Sequence, residues 1–236
     1  MPPTSQSDPR TTVITNHLST PRLGPFLAAS NGNLREALRL YQWNIDLSGA
    51  AYEALHMFEV ILRNVMDEQL CIWNASQVER RSGRSHSRDW LMDPAHLLSR
   101  LTGTDIGKAS TRAQAALRTG RHGGRQPAHP DVLAQLNFGT WRFLLPGNDA
   151  GRQLLWAQSL RFAFPHLTDS PASLVRQVNG IYRMRNRVAH LEPLLRSGTV
   201  RQEFNGMRSV LTTIDPSVEQ WFTSRQRVTQ ILKKRP

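Results

Sequence analysis

The stretch PASLVRQVNGIYRMRNRVAHLEP, residues 171–193, decides how the rest of the chain is read. Its apolar residues Leu174, Val178, Ile181 and Val188 recur in steps of four, three and seven, which is one face of an α-helix. Val175, Tyr182 and Ala189 widen that face. Pro171 can open such a helix and Pro193 marks its end. The step of seven leaves a gap, and Arg185 falls in it. A charge turned into a helical core costs several kcal/mol unless it is paired or solvated. The position is therefore either a structural ion pair with a neighbouring helix or a site.

His190 follows five residues later. At about 100° per residue the two lie about 140° apart on a regular helix, while Asn186, four before His190, shares its face. Pro193 is close enough for the last turn to unwind and bring His190 toward Arg185. A guanidinium, an amide and an imidazole around one pocket suit phosphodiester chemistry. The imidazole moves a proton at a ribose hydroxyl or leaving oxygen, and the guanidinium stabilises the charge that builds on phosphorus. RNA supplies its own 2′-hydroxyl as nucleophile, so no metal is required.

Outward from this helix the period stays helical. Residues 1–25 are rich in Pro, Ser and Thr and read as a disordered or loosely packed tail, and 26–236 as a single helical domain. Asn31 or Asn33 caps a helix through Leu34, Ala37, Leu38 and Tyr41. A second, long helix carries Ala51, Leu55, Phe58, Leu62 and Val65 on one stripe. A shorter helix runs through STRAQAALR (110–118), and Pro130 and Asp131 start another through FGTW, with Asp131 as its N-cap. GRQLLWAQSLRFAF (151–164), VRQEFNGMRSVLTTI (200–214) and SVEQWFTSRQRVTQILKK (217–234) supply the rest. ERRSGRSHSR (79–88) and RTGRHGGRQPAHP (118–130) read as exposed basic loops. Strand alternation and tandem repeats are absent, so the fold class is all-α, a helical bundle.

With 39% apolar residues and six Trp the chain can bury a sizeable core. Its net charge of +12 attracts polyanions. Apart from Lys108, Lys233 and Lys234 every basic chain is arginine, whose planar fork binds phosphate in a two-pronged way. A basic helix with a strong apolar face is missing, which favours nucleic acid over a membrane surface. Cys71 is the sole cysteine, which excludes an internal disulfide and a cysteine metal cage. The N-terminus has no apolar signal region and no run of about 18 apolar residues exists. The expected compartment is the cytoplasm.

RNRVAH (185–190) fits the R-x4-6-H signature of the HEPN superfamily. Three segments in order, MFEVILRNVMDEQL (57–70), LNFGTWRFLL (136–145) and RNRVAHLEPLL (185–195), resemble its Abi-like, or abortive infection, branch, and the resemblance runs from about Leu34 to Trp221. It implies an all-α HEPN fold with additional helices, usually a homodimer in which two copies of the motif form a composite active site. It further implies a metal-independent endoribonuclease of a phage-defence or toxin–antitoxin system, with RNA as substrate and an antitoxin or phage trigger as partner. Arg185 and His190 match the catalytic pair and Asn186 the polar residue after the arginine. Arg63 and Asn64 match the other family segment as accessory residues, and Glu59 in the same segment is counted with them. Many relatives carry a second histidine directly after the first, where this chain has Leu191.

Other readings compete at several places. Glu59 and Arg63, four apart, also form an exposed helical ion pair. FGTW reads as a packing motif in which Gly139 admits a neighbouring helix. Arg118, Arg121 and Arg125 either track an RNA backbone or belong to an ordinary solvated loop. GTDIGKAS lacks the spacing and the preceding strand of a phosphate loop. The remaining histidines show no paired spacing and no carboxylate cluster, so neither a metal nor a cofactor is expected. The rival from another class is a non-catalytic RNA- or nucleotide-binding helical module using the same cations.

Overall fold

The structure, a computed structural model, describes residues 9–79, 81–119 and 124–236. These form, in order, α1 (Pro9–Leu18), α2 (Thr20–Ala29), α3 (Leu34–Ala75), α4 (His96–Thr119), α5 (His129–Leu133), α6 (Phe138–Leu144), α7 (Ala150–Gln158), a 3-10 turn (Leu160–Ala163), α8 (Pro171–Ala189), α9 (Ser197–Ile214), α10 (Pro216–Arg225) and α11 (Val228–Lys233). No strand occurs among the described residues, where Val78 and Ser85 form an isolated antiparallel bridge. The chain is all-α. No helix among them is long and apolar enough to cross a membrane.

Several boundaries differ from the sequence reading. The tail is helical from Pro9, and although α1 leaves Val13 and Ile14 exposed, α2 buries Leu23 and Phe26. The two helices expected between residues 31 and 73 are one, α3, because no proline interrupts them and Gly49 is tolerated inside. Of the two candidate caps Asn33 is used, its Oδ1 accepting the N–H groups of Arg35 and Glu36. The helix expected around 110–118 is the end of the longer α4.

The helix expected from Pro130 through FGTW is split into α5 and α6. Asn137 caps α6 by accepting from the Thr140 N–H, and Asp131 lies inside α5, reaching back to accept the Ala128 N–H at 2.8 Å. Asp131 thus supplies the back-reaching half of a capping box and is not the N-cap. A Cβ on Gly139 would stand 2.7 Å from the capping oxygen of Asn137, but an ordinary 3.6 Å from Tyr182. The close neighbour at this glycine is the cap, not another helix.

Contacts divide the chain into two compact units. One comprises residues 1–54, 185–202 and 226–236. Its interior includes Phe26, Leu40, Trp43, Leu47, Leu194, Val200 and Leu232. Phe26 and Tyr41 pack edge to face, and Trp43 Nε1 donates to the Ile231 carbonyl at 2.8 Å.

The other comprises residues 55–184 and 203–225. Phe138 stands edge-on to both Phe58 and Tyr182, and Trp90 edge-on to Trp141. Fully buried Asn74 holds the loop between α3 and α4. It donates to the Ser87 and Asp93 carbonyls and accepts the Ala95 N–H. Losing such a side chain would strand several buried polar groups, at about 1–3 kcal/mol each. Buried Gly180 lets Glu203 of α9 lie against α8, where any Cβ would run into its carboxylate.

Candidate functional site

The apolar stripe of α8 does not need Arg185. Leu174, Val178, Ile181 and Val188 are buried as expected, and Met184, only 4% exposed, closes the gap in steps of three and four. Arg185 stands one residue round the helix and is half-buried. Methionine's unbranched thioether fills such a core position without a charge to neutralise. The arginine thus lies beside the core, not in it.

The end of α8 does not unwind. His190 N–H still donates to the Asn186 carbonyl at 2.9 Å, as in the helix body. Leu191 then takes a left-handed φ of 56°, its N–H bonds back to Val188 O, and Glu192 N–H to Arg187 O. These two crossed bonds are a Schellman closure, with His190 as the C-cap and Leu191 in the slot that glycine usually fills. The expected swing of His190 toward Arg185 therefore does not occur, and the helical angle of about 140° between them persists.

The following segment is fastened from several sides. Arg22 Nη1 donates to the Leu191 carbonyl, and the Arg187 Nη2 donates to Pro193 O at 2.8 Å. The Leu194 N–H donates to Oδ1 of buried Asn44 at 2.6 Å, and Arg235 donates to Leu195 O at 3.0 Å. Arg187 Nε approaches Glu192 at 3.5 Å, too long for a hydrogen bond, and has no bonded partner. Backbone and side chains together fix where His190 begins its side chain.

Within this frame the three motif side chains are free. Arg185 and Asn186 are half-buried and His190 is exposed, and none has a hydrogen-bond or ion-pair partner among the described residues. No carboxylate among the described residues supplies the ion pair that the sequence offered as the alternative for Arg185. Asn186 and His190 share one helical face, as the spacing required. Of the accessory residues, Arg63 is half-buried and donates from Nε to Oδ1 of exposed Asn64 at 3.3 Å, and Glu59 is half-buried.

The loop arginines divide differently. Arg121 lies outside the described residues, and Arg118 is exposed near the end of α4. Arg125 has both prongs on Asp131, at 2.6 and 2.8 Å. That pairing, with the Ala128 N–H, lowers the Asp131 carboxyl to about 2. Arg125 is thus held by a carboxylate in this structure, and is not a free cation of the loop.

A second constellation was missed. His129, expected to stand alone, has Nδ1 at 2.7 Å from Asp89 and Nε2 at 3.0 Å and 3.1 Å from the two oxygens of Asp67. Trp90 Nε1 donates to Asp67 Oδ1 at 2.8 Å. Hydrogen bonding to Asp67, with help from Asp89, raises the imidazole to about 9 against the opposing cost of burial. Cys71 lies one turn after Asp67 on α3, and burial, with the carboxylates of Asp67, Glu68 and Asp89, pushes its thiol up to about 12. The D-x3-C spacing was legible as one helical face, but partners 40 and 62 residues away from Asp89 and Asp67 to His129 were not.

Set against protein-family models, curated proteins and solved structures, the chain matches none.

Proposed function

We propose that this chain is a metal-independent endoribonuclease of HEPN type, serving phage defence or a toxin–antitoxin system. The observation that carries the reading is that Arg185, Asn186 and His190 have no partner among the described residues, on a helix end held firmly by the rest of the unit. Basic side chains left without carboxylates, in a chain of charge +12, are available to an anion. His190 takes the proton of a ribose 2′-hydroxyl, whose oxygen attacks phosphorus. The P–O5′ bond breaks, and the protonated imidazole returns that proton to the leaving oxygen, directly or through water. Arg185 stabilises the phosphorane and Asn186 orients the phosphate or the imidazole. Because Arg185 and His190 point to different sides of one helix, the site is composite, built from two copies of the chain.

The test is RNA cleavage in EDTA. Wild type should leave 2′,3′-cyclic phosphate and 5′-hydroxyl ends, and His190→Ala should lose about 10²–10⁴-fold in rate while still binding RNA. The same angular separation favours a second reading, a module that binds RNA without turnover. In that case His190→Ala changes affinity modestly and no cleaved ends appear with either protein.

A further inference from the structure

We propose that Asp67, Cys71 and His129 form a zinc-binding site with an open fourth position. One carboxylate oxygen, the thiol sulfur and an imidazole nitrogen lie mutually within 4.8 Å. Ligands held about 2.0–2.3 Å from one tetrahedral zinc ion stand roughly 3.3–3.8 Å from each other. The hydrogen-bonded 3.0 Å between His129 Nε2 and Asp67 needs only a shift of a few tenths of an ångström to reach that spacing. Zinc in this position takes the place of the Nε2 proton.

The surroundings are those of a metal site as well. A zinc-bound histidine almost always donates its other ring N–H to a carboxylate, which fixes the tautomer and the ring plane. Asp89 stands at 2.7 Å from Nδ1 in that role. The ligating carboxylate is oriented too, by the indole N–H of Trp90. The carboxylates of Asp67 and Asp89 beside His129 concentrate negative charge that attracts a dication. Thiolate, imidazole and carboxylate together select zinc over the hard cations magnesium and calcium. His129 and Asp67 retain 18% and 14% side-chain exposure, which leaves room for the fourth ligand, water or an incoming group.

The site would tie α3 to α5 and to the loop carrying Asp89 and Trp90. None of its residues belongs to the proposed RNA site, and its test uses no RNA.

The experiment is a cobalt titration of the full chain after chelator treatment and dialysis, followed by displacement with zinc. Because Cys71 is the sole cysteine, a thiolate-to-cobalt charge-transfer band reports this site alone. Wild type should show the band saturating at one equivalent and vanishing when zinc is added. His129→Gln and Asp67→Asn should abolish it, and Asp89→Asn, which keeps all three ligands, should weaken binding about 10–100-fold. Circular dichroism establishes that each variant is folded. Folded wild type that gives no thiolate band at saturating cobalt overturns the site, as does a band unchanged in both His129→Gln and Asp67→Asn.

Discussion

Two short stretches of this chain each carry an arginine and, four or five residues on, a histidine: Arg125 with His129, and Arg185 with His190. In the first both are held by carboxylates, Arg125 by Asp131 and His129 by Asp67 and Asp89. In the second neither has a partner among the described residues. Residue types and spacing are nearly the same, yet one pair is consumed within the fold and the other is left without a partner among the described residues. The availability of a cation is thus a property of the carboxylates that folding brings to it.

That contrast can be broken most directly at His190. If the site is composite, Arg185→Ala and His190→Ala proteins, each inactive alone, should recover cleavage when mixed, since a heterodimer contains one intact Arg185–His190 pair. Recovery that never exceeds the sum of the two separate activities would place both residues in one chain's site. The two histidines should also differ in stability. His129→Ala strands two partly buried carboxylates and should cost about 2 kcal/mol in urea unfolding with EDTA present. His190→Ala, an exposed and unpaired residue, should stay within about 0.5 kcal/mol of wild type. Equal losses would erase the distinction between the stretches.

Two smaller effects sharpen it. Leu191→Gly should stabilise the protein by roughly 0.5–1 kcal/mol, because an exposed leucine now occupies a left-handed position that glycine adopts without strain. Destabilisation instead would mean that the Leu191 side chain has a role beyond closing α8. At the other stretch, the Arg125–Asp131 pair lowers the folded pKa of Asp131. Its contribution is therefore present above the unfolded value of about 3.9 and lost as the pH falls through about 2. Carbon-detected titration should find that carboxyl near 2 in wild type and back toward the ordinary range in Arg125→Ala.

How much of this was readable beforehand differs by element. The helix over 171–189 was, because Pro171, Pro193 and the apolar period are all local signals. The position of Arg185 was misread, since Met184 and Arg185 are adjacent and a step of seven can be bridged by either. The split between α5 and α6 was hidden because Asn137 caps only once residues 134–136 have turned. His129 read as an isolated histidine since its carboxylates lie far away in sequence.

The sequence by itself determined the all-α class, the placement of Asn186 and His190 on one helical face, and the basic balance. These rest on period, composition and the geometry of a single helix, which act over a few residues. Only the tertiary structure decided that Met184 fills the core beside Arg185, that α8 closes in a Schellman turn pinned by Asn44 and Arg22, and that His129 sits between Asp67 and Asp89. Those outcomes depend on which distant groups compete for the same donors and the same buried volume. No local pattern encodes the winner of that competition, because it is set when the helices pack.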